Sequence, residues 1–266
     1  MLAAAARYLA DPLILDWHNA AGVFSNPVET HIGIVLLSHQ LGYFDILPLY
    51  VTLMVFAPGV AVLYRCAPAL LIPTSVTIYI LALIFRINFP NWPTQGQWFF
   101  NPFAWQLLFT LGFILAADLG GGAIVRRHIR WIRLISAPIV VVGVLVVWND
   151  WWPDPTRMPE PRLLFVADKT YMTPMRLFQF LALTAVGSVI YPYVVRALPG
   201  LVAFLSMLGR NSLNVFCVGS ILSLCGQIVR YVNNGNILID TVILATGIIG
   251  LGLAAWVSEW RARTAQ

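Results

Sequence analysis

Long apolar runs separated by short polar segments dominate the chain from residue 44 onward. Charged residues lie at or close to the ends of these runs. A helix needs roughly 17–25 apolar residues to cross a hydrocarbon core of about 30 Å, and seven runs reach that length. The predicted spans are Phe44–Tyr64, Pro68–Arg86, Pro102–Asp118, Trp131–Trp148, Leu177–Val195, Asn211–Tyr231 and Ile237–Val257.

Each run is expected to be a helix, because lipid offers the backbone no hydrogen-bonding partners and a helix satisfies its own groups. The strands of a membrane barrel would alternate apolar and polar residues, and these runs do not. The pattern therefore predicts an all-α, polytopic integral membrane helical bundle of about seven transmembrane helices. We divide it into an N-terminal segment, residues 1–43, and a transmembrane domain, residues 44–266, which contains a long loop at residues 149–173.

The composition agrees with a membrane protein. The 266 residues are 59% hydrophobic and 10% charged, whereas a soluble domain carries roughly 25% charged residues. The net charge of +5 could indicate nucleic-acid binding. The basic residues fall between the spans, however, where they orient a membrane protein, so we expect no nucleic-acid partner.

Neither the cysteines nor the histidines have metal-ligand spacing, and no glycine-rich phosphate loop follows a strand. We therefore expect no metal site and no bound cofactor.

The placement of arginine orients the bundle, because cytoplasmic junctions carry an excess of basic residues. With the C-terminus in the cytoplasm, the cytoplasmic segments carry Arg65, the cluster Arg126–Arg133, Arg196, Arg210, Arg261 and Arg263. We expect Gly120–Gly122 to end a helix and the basic cluster to lie in a flexible turn. Residues 1–43, 149–173 and 233–236 are then periplasmic. Residues 1–43 lack a good export signal, which leads us to expect an odd number of helices upstream of them.

A histidine and a carboxylate lie at the predicted outer end of the first span. His39 and Asp45 could together perform general acid–base chemistry, because an imidazole exchanges protons near neutral pH. The alternative is that Asp45 only interacts favourably with the dipole at the start of its helix. We take His39 and Asp45 as the candidate catalytic residues.

A second polar cluster opens the sixth predicted span on the cytoplasmic side. Arg210, Asn211 and Ser212 would combine a guanidinium with the free N–H groups of a helix start, which is a favourable site for an anion. The alternative is a simple helix cap beside an arginine that sets the orientation. We take these three residues as candidates for substrate binding.

The loop at residues 149–173 combines aromatic, acidic and proline residues. Several prolines should make it stiff. Aromatic rings can stack on sugars and carboxylates can accept hydrogen bonds from sugar hydroxyls, so the loop could form a sugar-binding surface. The alternative is a lid that anchors in the lipid headgroups.

Three runs carry a resemblance to a known family. They are the HQLGYFDILPLY run from His39, the NPFAWQL run from Asn101 and the LGRNSLNVFC run from Leu208. In this order they resemble OpgC, a family of bacterial inner-membrane proteins credited with succinylating periplasmic osmoregulated glucans. OpgC belongs with the membrane acyltransferases called acyltransferase family 3. The resemblance extends from about His39 to the C-terminus.

The resemblance implies an acyltransferase that takes a succinyl group from cytoplasmic succinyl-CoA and places it on a periplasmic glucan or other glycan. Acyl-CoA would be a co-substrate, and the partners would be membrane lipid and the glycan acceptor. The resemblance also implies a bundle of about ten spanning helices. The N-terminal helices of the family are credited with the catalytic histidine. Nothing at the start of this chain resembles them, so we expect the chain alone to show little transfer.

Two alternatives remain for the function. The chain could be a catalytically inactive or truncated member of the family. It could also be a polytopic membrane transporter, although transporters usually place ionisable residues near the middle of the membrane. Here Asp45, Arg86, Asp118, Arg230 and Asp240 all lie near the ends of spans, which argues against ion coupling.

Overall fold

The computed structural model describes residues 1–42, 44–117 and 121–264. Regular structure in these residues is helical, and the only strand-like pairing among them is an isolated bridge between Pro90 and Gln97. The helices are α1 Leu2–Tyr8, α2 Ala21–Ser25, α3 Pro27–Val35, α4 Ile46–Cys66, α5 Pro68–Phe85, α6 Pro102–Ala116, α7 Gly121–Trp148, α8 Pro174–Ala197, α9 Pro199–Arg210, α10 Ser212–Val232 and α11 Ile237–Thr264. Short 3-10 helices cover Pro12–Asn19 and Arg162–Leu164. The predicted all-α polytopic fold is confirmed.

Among the described residues, six helices are long and apolar enough to cross a membrane, namely α4, α5, α7, α8, α10 and α11, with 18 to 28 residues each. The span predicted over Pro102–Asp118 corresponds to α6, which has 15 residues, fewer than the roughly 17 that a full crossing takes. Helix α6 ends because Ala117 is extended, with φ −70° and ψ 123°, while Asp118 lies outside the described residues. A second short apolar helix, α9, has 12 residues and was not predicted as a separate element.

The N-terminal part of α7 corrects one expectation. The cluster Arg126–Arg133 lies on this helix and not in a flexible turn, because α7 begins at Gly121, ahead of the predicted start at Trp131. Gly121 and Gly122 therefore start a helix, while Gly120 lies outside the described residues. The apolar pattern marked only the part of α7 that can face lipid, and the helix continues beyond it through basic residues.

The described chain divides into two compact units. Unit 2 comprises residues 22–40 and 45–190. Its core lies between α5, α6 and the end of the loop at residues 149–173, where Tyr79, Leu83, Leu107, Tyr171 and Met172 are buried. This packing holds the loop end against two apolar helices.

Unit 1 comprises residues 1–21, 41–44 and 191–266. Its centre is the pair α10 and α11, which pack closely through glycines. A Cβ atom placed on Gly226 would lie 2.7 Å from Ile243 Cγ2, and one placed on Gly250 would lie 2.7 Å from Leu222 Cδ1. Small residues allow helix backbones to approach each other in membranes, where no hydrophobic effect drives association.

We expect Gly226→Ala to lower the thermal stability of the purified protein, because its methyl group would overlap Ile243. Overpacking of this kind costs about 1–3 kcal/mol. Gly247→Ala is the matched control, because nothing lies within 4 Å of a Cβ at that position and alanine is the better helix former. The measurement is thermal unfolding in detergent. Equal melting temperatures for the two variants would show that close approach at Gly226 is unimportant.

Candidate functional site

A polar cleft in unit 1 has the chemistry of a binding site. Its volume is about 970 Å³, and its walls come from the 3-10 helix at Pro12–Asn19, the end of α10 and the turn that leads to α11. The lining residues are Leu9, Asp11, Trp17, His18, Gln227, Arg230, Tyr231, Val232, Asn234 and Gly235. The cleft thus brings a carboxylate, an imidazole, a guanidinium and two aromatic rings together.

Tyr231 fixes one wall of the cleft. Its hydroxyl donates a 2.5 Å hydrogen bond to Asp11 Oδ2, and its ring meets Trp17 edge-on, with 5.3 Å between the ring centroids. The other oxygen, Asp11 Oδ1, accepts a 3.0 Å hydrogen bond from the Leu13 N–H and so caps the 3-10 helix. Both carboxylate oxygens are therefore used, and the residues before the 3-10 helix are tied to α10.

His18 lies in the cleft with an unusual backbone conformation. Its φ is 60° and its ψ is 29°, and Asn19 also has a φ of 60°. Residues other than glycine rarely adopt this left-handed region, and holding one there costs about 1–3 kcal/mol. Such strain is often found at functional sites. The ring is held at Nε2, which lies 3.1 Å from Gln227 Oε1. An amide oxygen only accepts, so this contact assigns the hydrogen to Nε2.

Gly42 explains part of the HQLGYF run. Its N–H donates a 3.0 Å hydrogen bond to the His18 carbonyl. A Cβ atom on Gly42 would lie 2.5 Å from His18 Nδ1, so only glycine fits beside the imidazole. The run that carries the family resemblance therefore supplies the backbone against which His18 packs.

Arg230 supplies the positive charge of the cleft. Its Nε lies 3.2 Å from Asp240 Oδ1, and its side chain is 64% exposed. Gly235 turns the chain with a φ of +64°, and its N–H donates to the Arg230 carbonyl over 3.1 Å. A guanidinium has five N–H donors. The bond to Asp240 orients the group and leaves donors that can reach a ligand in the cleft.

The predicted cluster at the start of α10 has a different arrangement from a simple cap. Arg210 Nη2 lies 2.7 Å from Glu259 Oε1, and Arg263 Nη2 lies 3.2 Å from Oε2 of the same carboxylate. Asn211 donates through Nδ2 to the Met207 carbonyl over 3.0 Å and does not cap α10, which begins at Ser212. The arginine of this cluster, Arg210, therefore forms an ion pair with Glu259, next to Asn211 and Ser212 in the chain. Their role in substrate binding stays a prediction.

His39 and Asp45 lie on either side of Tyr43, which is outside the described residues. His39 is buried, with 3% of its surface exposed, and its backbone N–H donates to the Gly33 carbonyl over 3.0 Å. Asp45 stands at the start of α4, as predicted, but its side chain makes no capping hydrogen bond. Acid–base chemistry by His39 and Asp45 stays a prediction.

The end of the loop at residues 149–173 is well anchored in unit 2. The Tyr79 hydroxyl donates to the Met172 carbonyl over 2.9 Å, and the Tyr171 hydroxyl lies 3.0 Å from the Arg86 carbonyl. Burial raises the pKa of Tyr171, the Asp168 carboxylate raises it further, and the Arg86 guanidinium opposes them. The phenol therefore stays protonated and remains a donor at neutral pH.

The middle of the same loop is exposed. Trp151 and Trp152 are 65% and 43% exposed. Hydrogen bonds from the side chain and backbone of Thr156 lower the pKa of Asp154 and keep it charged. This exposed set of rings and a carboxylate is compatible with the predicted sugar-binding surface, which stays a prediction.

The cleft residues Asp11, His18, Gln227, Arg230 and Tyr231 were not among the candidates from the sequence. The contact between His18 and Gln227 joins residues 209 positions apart, and that between Asp11 and Tyr231 joins residues 220 positions apart. The available signal was weak. Polar residues at the end of an apolar span, as at Gln227 and Arg230, mark either an interface or a site.

Helices of spanning length define a multi-pass membrane protein, and unit 1 contains a polar cleft. A family model described as OpgC protein matches residues 1–263, and the chain belongs to this family. The match includes the residues before His39, where the resemblance had not been seen, and these residues form a wall of the cleft. No curated protein and no solved structure matches the chain. Membership supports a membrane acyltransferase-like role in the modification of glucans.

Proposed function

We propose that this protein transfers a succinyl group from cytoplasmic succinyl-CoA to a hydroxyl group of a periplasmic glucan in the bacterial inner membrane. The observation that carries the proposal is the polar cleft of unit 1 in a chain of the OpgC family. In the predicted orientation the cleft is periplasmic, because it includes the turn at residues 233–236, and the C-terminus is cytoplasmic.

The reaction exchanges one acyl bond for another. The bond between the acyl carbon and the thioester sulfur breaks, and a bond forms between that carbon and the sugar oxygen. The hydroxyl loses its proton, and the leaving thiolate takes one up. A base near the hydroxyl assists such a step. We assign this part to His18 in preference to His39, because His18 lines an open cleft and His39 is buried.

The cleft offers separate groups for the sugar and for the acyl group. Trp17 and Tyr231 present aromatic rings, which can pack on the apolar faces of a sugar ring. Gln227 and Asn234 can exchange hydrogen bonds with hydroxyls. Arg230 is suited to the free carboxylate of a succinyl group, because a guanidinium binds carboxylates through two parallel N–H bonds.

The donor is proposed to bind at the other end of α10. A CoA thioester carries several phosphate charges, which favour Arg210 and the N–H groups that begin α10 at Ser212. The side chain of Asn211 turns back to Met207 and leaves this helix start without a side-chain cap from the N-cap residue, which supports the assignment.

The test measures succinyl esters on glucan after incubation of protein-containing membranes with succinyl-CoA. Little transfer was expected while the start of the chain resembled nothing in the family; because the family model matches from residue 1, we now expect transfer by the unaltered protein. Arg230→Gln should lose about 10- to 100-fold, since a hydrogen bond to a charged group contributes about 1.5–3 kcal/mol. Arg86→Gln is the matched control, because Arg86 also pairs with a carboxylate, Glu160, and is similarly exposed, at 56%, but lies in unit 2. It should retain full transfer. Absence of glucan esters from the unaltered protein would overturn the proposed function.

A further inference from the structure

A groove between α10 and α11 lies at the end of the pair that carries the C-terminus. Its volume is about 660 Å³. Val218, Leu253 and Val257 form apolar walls, and small side chains such as Cys217 and Ala254 leave the space between the helices open. The groove belongs to unit 1 but is separate from the polar cleft, with which it shares no lining residue.

The groove ends in polar groups. Asn214 Nδ2 donates to Ser258 Oγ over 3.0 Å and joins the two helices there. Arg261 also lines this end. Within residues 1–42, 44–117 and 121–264, no carboxylate pairs with Arg261, whereas Arg210 and Arg263 share Glu259. Arg261 therefore presents an uncompensated positive charge beside an apolar channel.

We propose that this groove binds an anionic phospholipid, with an acyl chain against Val218, Leu253 and Val257 and the phosphate at Arg261. Charge complementarity selects this occupant, because an apolar channel suits a lipid chain and an unpaired guanidinium suits an anionic headgroup. The bilayer presents both parts together at the end of a spanning helix, and basic pockets between spanning helices bind such headgroups. The proposal does not depend on acyl transfer.

The test compares phosphatidylglycerol with phosphatidylethanolamine, each added to the purified protein in detergent, by native mass spectrometry. We expect tighter binding of phosphatidylglycerol, and a loss of about fivefold in its affinity with Arg261→Gln, because one basic residue near an anionic lipid contributes about 1 kcal/mol. Arg263→Gln on the same helix should retain the affinity, because Arg263 is engaged by Glu259.

Ala254→Leu provides a second variant, which fills the groove and leaves Arg261 in place. It should also weaken binding of phosphatidylglycerol, and thermal unfolding of each variant reports whether it is folded. Equal losses of affinity with Arg261→Gln and Arg263→Gln would show that only the general surface charge matters, and would overturn the proposal. Displacement of the lipid by acyl-CoA at equal concentrations would assign the groove to the acyl donor and overturn it as well.

Discussion

Replacing His18 by alanine should lower the turnover of glucan succinylation by a factor on the order of 10²–10⁴, the usual contribution of a positioned acid or base. The physical basis is the position of the ring in the cleft. Gln227 holds the protonated Nε2, so the proton acceptor would be Nδ1, beside which Gly42 leaves the space that a Cβ atom would fill. A group that acts on the reacting hydroxyl should affect kcat more than KM for the glucan. Steady-state kinetics in membranes measures both.

The matched control is His31→Ala. His31 is exposed on α3, and its Nδ1 contacts only the local Pro27 carbonyl over 2.5 Å among the hydrogen bonds of the described residues. The His31→Ala variant should leave turnover unchanged. His39→Gln tests the acid–base pair predicted from the sequence. If His39→Gln abolishes turnover in a folded protein while His18→Ala does not, the catalytic base is His39 and our assignment of His18 is wrong.

Gly42→Ala tests whether the position of the His18 ring matters for catalysis, because it leaves the ring in the protein. In Gly42→Ala the imidazole remains, but the added methyl group would displace it. Misplacement of a catalytic group by about 1 Å can cost about 100-fold in rate. We therefore expect Gly42→Ala to reduce kcat without removing any hydrogen-bonding group. Gly59→Ala on α4 is its control, because nothing lies within 4 Å of a Cβ there.

The helices could be predicted from the sequence because spanning segments leave a simple signal. Lipid requires both a long apolar run and internal backbone hydrogen bonds, and six predicted spans meet these conditions. The ends of helices were harder to predict. Hydropathy reports which residues can face lipid, so it missed the basic first turns of α7 and did not show that α6 stops at Ala116.

The cleft could not be predicted, because its geometry depends on contacts between distant residues. His18 and Asp11 lie in a short segment before the first span, and their partners lie on α10. A single sequence contains no information on which α10 residues face that segment. The family resemblance identified the run that contains Gly42, but only the folded chain shows that this glycine packs against His18.

Mutations can distinguish the predicted acyl-CoA site at Arg210 from the ion pairs that surround it. Arg210 and Arg263 both contact Glu259, at 2.7 Å and 3.2 Å, and both side chains are largely exposed, at 64% and 79%. Only Arg210 lies next to the start of α10, separated from Ser212 by the N-cap residue Asn211. Two arginines with the same acidic partner therefore differ in their access to the proposed phosphate site, which makes Arg263 a matched control.

Arg210→Ala should weaken the binding of acyl-CoA by about 10- to 100-fold, since a charge-assisted hydrogen bond contributes about 1.5–3 kcal/mol and about 1.4 kcal/mol corresponds to a factor of ten. Arg263→Ala should bind the donor normally. Exposed ion pairs contribute about 1 kcal/mol or less, so neither change should greatly alter the melting temperature. Titration with acyl-CoA measures the affinity of each variant, with Arg127→Ala on α7 in parallel. If only Arg127→Ala loses affinity, the donor binds at the basic start of α7. Equal losses with Arg210→Ala and Arg263→Ala would mean that the two arginines act through Glu259, and that the start of α10 does not hold the phosphate.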